Sequence, residues 1–244
     1  MAIEVFNRYE NKYMIDDDTR TAIQRRLTEH MDTDYYNQTR DTYSICNLYY
    51  DTDDSHLIRE SLSKPRYKEK LRLRSYGTPK LTSKAYAEIK KKCFGLVNKR
   101  RSAMRLSEAY DFLSAGSVAL TPEMNPQVVS EIAYMLSQRP LFPKLYLAYE
   151  RRAYFGIAQR DLRISFDTAI VTRRRDLRLE SGIYGDLLLP RDMWLMEIKV
   201  ANNMPLWLTK LLSELKVYPA SFSKYGRTYM NELAGLTNDF LMIA

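Results

Sequence analysis

Basic residues alternate along the segment 67–77, and four of them share one parity: Lys68, Lys70, Arg72 and Arg74. Leu71 and Leu73 take the opposite parity, which predicts a β-strand with one cationic face. Alternate side chains of a strand lie about 7 Å apart, so the row presents cations at regular intervals to a polyanion, and Arg offers a fixed fork of donors to phosphate oxygens. The segment is therefore typical of a polyanion-binding surface, although the solvated face of an antiparallel sheet would show the same pattern.

Charged residues alternate in the same way in several other segments that the sequence predicts as strands. They are Glu10 and Lys12, Glu88 and Lys90, Arg151, Arg163, and Glu197 with Lys199. Each segment has apolar residues at the other parity, and the few predicted helices could cover only part of the apolar face of a flat sheet. In a barrel, the charged faces line a water-filled interior while the apolar faces pack against helices outside. The pattern thus predicts an antiparallel barrel with a charged lumen.

Helices are predicted between these strands, and we expect them to pack against the outside of the barrel. Apolar spacing indicates helices over 19–30, 56–61 and 206–215 and a last one that ends near Leu233. Between 107 and 138 the spacing is also helical, and Pro122 and Pro126 mark a break between two helices. The segments at 19–30 and 107–138 carry no pattern that indicates chemistry.

The composition favours an anionic partner. The 244 residues carry a net charge of +8 with a pI near 9.3, although charges of both signs argue against a simple basic tail. Cys46 and Cys93 are the two cysteines, without a CxxC motif or a Cys/His cluster, so we expect neither a disulfide framework nor a zinc site. Residues 1–9 are too charged for a signal peptide, and no stretch approaches the ~20 apolar residues of a membrane helix. These features predict a cytoplasmic protein without a membrane segment.

Seven short motifs occur in order along the chain. They are LYYDT at 48–52, LRLRSYG at 71–77, EIK at 88–90, YER at 149–151, RISFD at 163–167, EIK at 197–199 and SKY at 223–225. Together they resemble the VTC-type polyphosphate polymerase domain, a branch of the triphosphate tunnel metalloenzymes with a CYTH-like fold, over roughly residues 5–230. The resemblance implies an α+β fold in which an antiparallel eight-stranded β-barrel tunnel has helices packed outside. It also implies that residues 1–244 form a single domain of this type.

The resemblance also assigns roles to individual residues. The catalytic phosphate ligands would be Lys12, Arg72, Arg74, Lys90, Arg151, Arg163, Lys199 and Lys224. Lys70 and Ser223 would contact the substrate, Glu197 would bind the metal, and Glu10 would be a second metal or water contact. The cofactor would be Mn²⁺ or Mg²⁺. This set suits phosphoryl transfer, which needs charge neutralisation and in-line positioning more than a protein nucleophile.

Three functions stay open on the sequence. The first is a metal-dependent enzyme that makes polyphosphate from ATP, and the second is a tripolyphosphatase or other triphosphate hydrolase working in the same tunnel. The expected partners are therefore ATP, a triphosphate or polyphosphate. The family pattern suggests an additional Lys where this chain has Ser221, which weakens the case for chain elongation. The third function is a binding module for polyphosphate or nucleic acid. Nucleic acid is disfavoured because the aromatics are expected on the strand face opposite the cations.

Overall fold

The computed structural model describes residues 9–94 and 96–235. Its centre is one antiparallel sheet to which ten strands of this part of the chain contribute. The strands are β1 (Tyr9–Asp16), β2 (Met31–Thr33), β3 (Tyr43–Asp51), β4 (Tyr67–Tyr76), β5 (Lys84–Cys93), β6 (Leu96–Arg105), β7 (Phe142–Gly156), β8 (Arg163–Arg173), β9 (Asp186–Leu187) and β10 (Met193–Val200). The predicted α+β class and antiparallel sheet are confirmed.

Eight long strands follow one path of hydrogen-bonded neighbours, in the order β1-β10-β8-β7-β3-β4-β5-β6. The short strands β2 and β9 pair with β7 and β8 away from this path. Across the described residues no backbone pairing joins β1 to β6, so the expected closed eight-stranded barrel is open along this seam. An ion pair between side chains bridges the seam instead. Lys90 on β5 contacts Glu10 on β1, with 3.5 Å between Nζ and Oε2.

Six α-helices of the described chain lie around the sheet. They are α1 (Asp17–Leu27), α2 (His56–Leu62), α3 (Leu106–Ala115), α4 (Pro126–Gln138), α5 (Leu206–Glu214) and α6 (Lys224–Leu233). Side-chain caps define several of the helix starts, as the sequence indicates. Asp16 accepts a hydrogen bond from the Thr19 amide at 2.8 Å before α1. Asn125 precedes Pro126 at the first position of α4. None of the helices in residues 9–94 and 96–235 has the length and apolar composition that a membrane span requires.

Apolar residues at the outer parity of the strands pack against five of these helices, α1 to α5. Leu71 on β4 and Ile89 on β5 share one core with Phe112 of α3 and Ile132 of α4, and all four are at most 1 % exposed. A second core joins β1, β8 and β10 to α1 and α5. Burial of one such side chain contributes about 1.5–3 kcal/mol. The outer cores therefore fix the parity of each strand and turn the charged parity inward.

A third core lies on the inner face of the sheet and fills part of the interior. This core includes Tyr49 of β3, Leu147 of β7 and Leu195 of β10 together with Ile58 of α2 and Tyr225 of α6. Two helices reach inward here because Asp51, at the end of β3, binds both. Its carboxylate accepts hydrogen bonds from two amides at the start of α2 and from the Tyr225 hydroxyl at 3.0 Å. The rest of the inner face is polar, and it holds the candidate site.

Candidate functional site

A cavity of about 320 Å³ lies inside the sheet, next to the inner apolar core. All twelve residues that the sequence predicted for the site line it, namely Glu10, Lys12, Lys70, Arg72, Arg74, Lys90, Arg151, Arg163, Glu197, Lys199, Ser223 and Lys224. Ten of them project from six strands, β1, β4, β5, β7, β8 and β10, while Ser223 and Lys224 come from the start of α6. Period-two alternation in each strand is what brings these distant residues to one surface.

The cavity concentrates positive charge. Eleven Lys and Arg but only two Glu line it. Subtracting these from the 38 Lys and Arg and 30 Asp and Glu of the chain leaves 27 cations and 28 carboxylates elsewhere. The net charge of +8 therefore originates in the cavity, where low-dielectric walls focus its field on an anion.

Two fully buried carboxylates beneath the cavity hold several of its cations in place. The first is Glu88 on β5, which lies opposite Arg72 on β4 in the strand register. Its oxygens are 2.7 Å from Arg72 Nε, 3.7 Å from Arg74 Nε and 2.6 Å from Lys99 Nζ. Burial alone would raise the pKa of Glu88, but the charges of Arg74, Lys99 and Arg72 outweigh it and hold the pKa well below its usual range.

The second buried carboxylate is Asp167 on β8. It accepts bidentate hydrogen bonds from Arg151, with Nε and Nη2 at 2.6 and 2.7 Å, and a further hydrogen bond from Lys224 Nζ at 2.6 Å. Such bidentate pairs fix the plane of the guanidinium. Burial would raise the pKa of Asp167, yet the charges of Arg151 and Lys224 lower it. The strand register sets this pair, because Arg151 lies opposite Asp167.

Glu197 is surrounded by cations on the cavity wall. Its carboxylate is 2.6 Å from Lys199, 3.3 Å from Lys224, 3.5 Å from Arg151 and 3.7 Å from Lys12. Burial would raise the pKa of Glu197, but these charges, Lys199 first, hold it well below its usual range. The group is therefore an anion in the folded protein, as a metal ligand must be, and it also forms the cross-strand ion pair with Lys12 that the register dictates.

Glu10 is the second carboxylate of the lining, and it stands close to Glu197. Lys12 Nζ lies between the two, 3.4 Å from Glu10 and 3.7 Å from Glu197. Burial, and then the charge of Glu197, would raise the pKa of Glu10, but the charges of Lys90, Lys199 and Lys12 outweigh them and lower it. Within the described residues, no group of three or more His, Cys, Asp or Glu forms a protein-only metal cage. Two carboxylates that leave the other positions to water and phosphate oxygens are the usual donor set for Mg²⁺, so these residues fit a divalent metal.

Lysines face one another where β4 and β5 continue beyond the Glu88 cluster. Lys70 is opposite Lys90 and Lys68 is opposite Lys92 in the register. We call these four residues the lysine pairs. Like charges directly opposite each other destabilise a sheet. Within the described chain the only carboxylate in ion-pair contact with any of them is Glu10, on Lys90. Burial first, and then the charges of Lys90 and Lys12, lower the pKa of Lys70 to about 7.

The structure corrects one sequence-based expectation about aromatic residues. Tyrosines were expected on the strand face opposite the cations, but Tyr43, Tyr49, Tyr76 and Tyr149 line the same cavity. Tyr43 and Tyr49 take inward positions of β3, whereas Tyr76 and Tyr149 share the inward parity of Arg74 on β4 and Arg151 on β7. Lys224 Nζ, for example, lies 4.5 Å from the centre of the Tyr149 ring, so these rings also contact cations directly.

The sequence analysis did not assign four charged residues that the structure places at the site. Lys99 and Arg101 line the cavity from β6, and Glu88 and Asp167 lie beneath it. Strand parity was the available signal: Glu88 shares the parity of Lys90, and Asp167 that of Arg163. Which cation each carboxylate binds depends on the pairing of strands, and alternation within one strand cannot reveal it.

Two solved structures share this fold at low sequence identity. A candidate adenylate cyclase from Bacillus halodurans aligns with 91 % of this chain and 96 % of its own, at 13 % identity and a TM-score of 0.53. A candidate adenylyl cyclase from Hippeastrum, with a dominant triphosphatase activity, aligns over 96 % of both chains at 15 % identity and a TM-score of 0.50. No curated sequence matches the chain significantly. The model of the VTC domain matches residues 7–231, and the chain therefore belongs to the VTC domain family, as the seven motifs predicted.

Proposed function

We propose that this protein catalyses metal-dependent phosphoryl transfer on triphosphates, and that the specific reaction is polyphosphate synthesis from ATP. The observation that carries the proposal is the cavity in which eleven cations and two carboxylates converge. A triphosphate has many nonbridging oxygens, and its transfer chemistry needs their charge neutralised while the reacting groups stay in line. Membership of the VTC domain family supports the same conclusion.

The arginines would act as fixed donors to the phosphate oxygens. Glu88 holds Arg72, Asn47 accepts from Arg74 Nε at 2.9 Å, and Asp167 holds Arg151. Donors that are already oriented need no reorganisation when charge develops in the transition state, which is the main source of electrostatic catalysis. The buried carboxylates thus make the arginines rigid without contacting the substrate themselves.

Glu197 and Glu10 would hold the divalent cation, Mn²⁺ or Mg²⁺. When bound, the cation would neutralise charge on the transferred phosphoryl group. The lysines around Glu197 would then be free to donate to phosphate oxygens, since Lys12, Lys199 and Lys224 already line the cavity. The Ser223 hydroxyl, 3.3 Å from Lys70 Nζ, adds one more donor on the same wall.

The lysine pairs favour a polyphosphate chain over a substrate that ends at three phosphates. Lys70 and Lys90 line the cavity, whereas Lys68 and Lys92 continue the same rows beyond it. In the described chain neither Lys68 nor Lys92 has a carboxylate partner. Uncompensated cations in line with a phosphate site are what a longer polyanion would neutralise. The acceptor chain would therefore lie along these residues and meet the donor triphosphate inside the cavity.

Hydrolysis of a triphosphate is the second candidate. The Hippeastrum protein with the same fold has a dominant triphosphatase activity, and the same charged cavity would serve a water nucleophile. The two candidates differ in what accepts the phosphoryl group. Ser221, where the family pattern suggests a further Lys, is exposed and is not among the residues that line the cavity.

Product analysis distinguishes the candidates. The purified protein is incubated with ATP or tripolyphosphate and with Mn²⁺ or Mg²⁺, and the products are resolved by chain length. We expect ADP and chains longer than three phosphates from ATP. Orthophosphate without longer chains would identify a hydrolase instead, and no turnover with either substrate would refute both candidates.

Variants of the lysine pairs test the path of the chain. Lys68→Gln combined with Lys92→Gln should shorten the products several-fold, because these cations lie beyond the triphosphate and contact only a longer chain. Lys80→Gln combined with Lys210→Gln is the matched control, since both of these lysines are exposed and lie outside the cavity lining. Equal product lengths in the two double variants would show that the acceptor chain does not bind along the lysine pairs.

A further inference from the structure

Four tyrosines from four different segments meet at one rim of the cavity. Tyr36 comes from a 3-10 turn, Tyr43 from β3, Tyr76 from β4 and Tyr86 from β5. The rings of Tyr36 and Tyr76 are stacked within 6° of parallel at a centroid distance of 5.2 Å. Tyr43 lies 5.2 Å from Tyr36, and Tyr86 meets Tyr76 edge-on at 5.8 Å. We call this set the tyrosine cluster.

The cluster is continuous with the phosphate-binding surface. Tyr43 and Tyr76 both line the cavity, and so does Arg101, whose guanidinium lies 4.7 Å from the centre of the Tyr86 ring. Tyr76 is also the next inward residue after Arg74 on β4. One row on this strand therefore runs from lysine through arginine to tyrosine, so the cluster and the lysine pairs lie at opposite ends of the cavity.

The exposure of the cluster is uneven. Tyr43 is 8 % exposed and belongs to the inner core, whereas Tyr36 is 46 % exposed. Packing alone accounts for Tyr43. It does not account for Tyr36, whose ring stacks on Tyr76 of the lining and stays half-exposed. The pKa of Tyr36 is raised, first by partial burial and then by Tyr76 and Tyr86, so its hydroxyl stays neutral at physiological pH.

We infer that the tyrosine cluster binds the nucleobase of the triphosphate donor, so that the site prefers a nucleoside triphosphate to inorganic triphosphate. The inference rests on the proposed function. A nucleobase has an apolar face that stacks on aromatic rings, and a cation next to such a ring is suited to the phosphate that follows the ribose. Arg101 is that cation, and Arg74 and Arg72 follow along the row.

This placement orients the substrate. With the base on the tyrosine cluster, the phosphates extend along Arg74 and Arg72 towards Lys70. The terminal phosphoryl group then points to the end where the lysine pairs begin. The nucleoside diphosphate would leave on the tyrosine side, and the acceptor chain would lie on the lysine side, so the two would not compete for one opening.

The test compares binding of ATP and tripolyphosphate to the full chain by calorimetry. Tyr36→Leu removes the aromatic face but keeps apolar bulk at a half-exposed position. We expect it to weaken ATP binding about fivefold or more, the lower end of what a stacked base contributes, while tripolyphosphate binding is unchanged. Tyr134→Leu is the control, because Tyr134 is 67 % exposed on α4, away from the cavity.

The other outcomes overturn the inference in distinguishable ways. Equal losses for both ligands, or a lower unfolding temperature, would mean that Tyr36 acts only by packing. Unchanged ATP binding, or wild-type protein that binds tripolyphosphate as tightly as ATP, would show that the cluster does not bind a base. Wild-type protein that binds neither ligand would refute the proposed function and this inference with it.

Discussion

The two halves of the β4–β5 pair use charge in opposite ways. In one half Arg72 lies opposite Glu88, and a buried carboxylate holds the cations in place. In the other half Lys70 lies opposite Lys90 and Lys68 opposite Lys92, so like charges face each other across the same ladder. The first arrangement is complete within the folded chain. The second is favourable only when an anion lies between or over the lysines, which is why we attribute it to ligand binding rather than to folding.

The choice of residue agrees with this division. Arg presents a planar fork that a carboxylate or phosphate can hold in one orientation, whereas Lys is a flexible point charge with freely rotating donors. We call the half in which Glu88 holds the arginines the clamped half, and the half with the lysine pairs the lysine half. The clamped half therefore suits a triphosphate that must be positioned for reaction. The lysine half suits a chain that binds loosely enough to move.

Removal of the carboxylate that we propose as the metal ligand gives the largest expected effect. Glu197→Gln keeps the shape of the side chain but removes the charge that would anchor a cation among four positive groups. We expect a folded protein that still binds tripolyphosphate without metal, with metal-dependent turnover reduced about a thousandfold, because a bound metal supplies several kcal/mol of charge stabilisation. Steady-state turnover across a metal titration measures this.

The alternative for Glu197 is a purely structural ion pair. In that case Glu197→Gln would lower the unfolding temperature and leave the turnover of the remaining folded protein intact. That result would mean that Glu197, like Glu88, serves to hold cations in place. The metal site would then lie elsewhere.

Removing the buried carboxylate of the clamped half should act on stability. Glu88→Gln leaves Arg72, Arg74 and Lys99 without their counter-charge, and breaking a buried pair in this way costs about 3–5 kcal/mol of unfolding free energy. Denaturant unfolding measures the loss. Lys92→Gln, in the lysine half, should leave the unfolding temperature of the ligand-free protein unchanged or higher, because it relieves a like-charge contact. Losses of equal size in both variants would contradict the division between the halves.

The smallest expected effect is a pH dependence that originates at Lys70. Its pKa is lowered to about 7 by burial and by the charges of Lys90 and Lys12, so the free protein loses this charge as pH rises above 7. An anion favours the protonated form, so binding takes up a proton there, and affinity should fall with rising pH by up to about tenfold per unit.

Comparison with Lys70→Arg isolates this effect, because Arg stays charged throughout the range. Tripolyphosphate itself titrates, but it does so equally for both proteins, so the ratio of their affinities between pH 6 and pH 9 reports on residue 70 alone. Parallel profiles of affinity against pH for the two proteins would show that Lys70 remains charged at neutral pH. The repulsion between the facing lysines would then be weaker than the register indicates.

Much of the fold followed from the parity of residues along each strand. The alternation in β4 placed Lys70, Arg72 and Arg74 on one face, and the structure puts all three in the cavity. Contacts that depend on the pairing of distant strands could not be predicted in this way. The clamp between Arg151 and Asp167 requires β7 to lie next to β8 in one register. The tyrosine cluster requires a turn and three strands to end at the same rim.

An irregularity in β8 shows a further limit. The ladder between β7 and β8 shifts register between Ala148 and Glu150, and Ala169 on β8 has a positive φ of 47°. One extra residue in a strand reverses the parity beyond it. Asp167 and Ile170 therefore face the same interior, although simple alternation would place them on opposite faces. Nothing in the local sequence, such as a glycine, marks this position.

The concentration of charge in the cavity changes how the basic isoelectric point should be understood. Outside the lining, 27 cations and 28 carboxylates nearly cancel. The pI near 9.3 therefore reflects the charge of the cavity lining and not that of the outer surface. A double-stranded nucleic acid, too wide to enter the cavity, meets a nearly neutral exterior. We expect a much narrower phosphate chain to enter and to meet the positive field of the lining. Selection among polyanions by width then needs no sequence-specific contact, because the sheet itself encloses the charge.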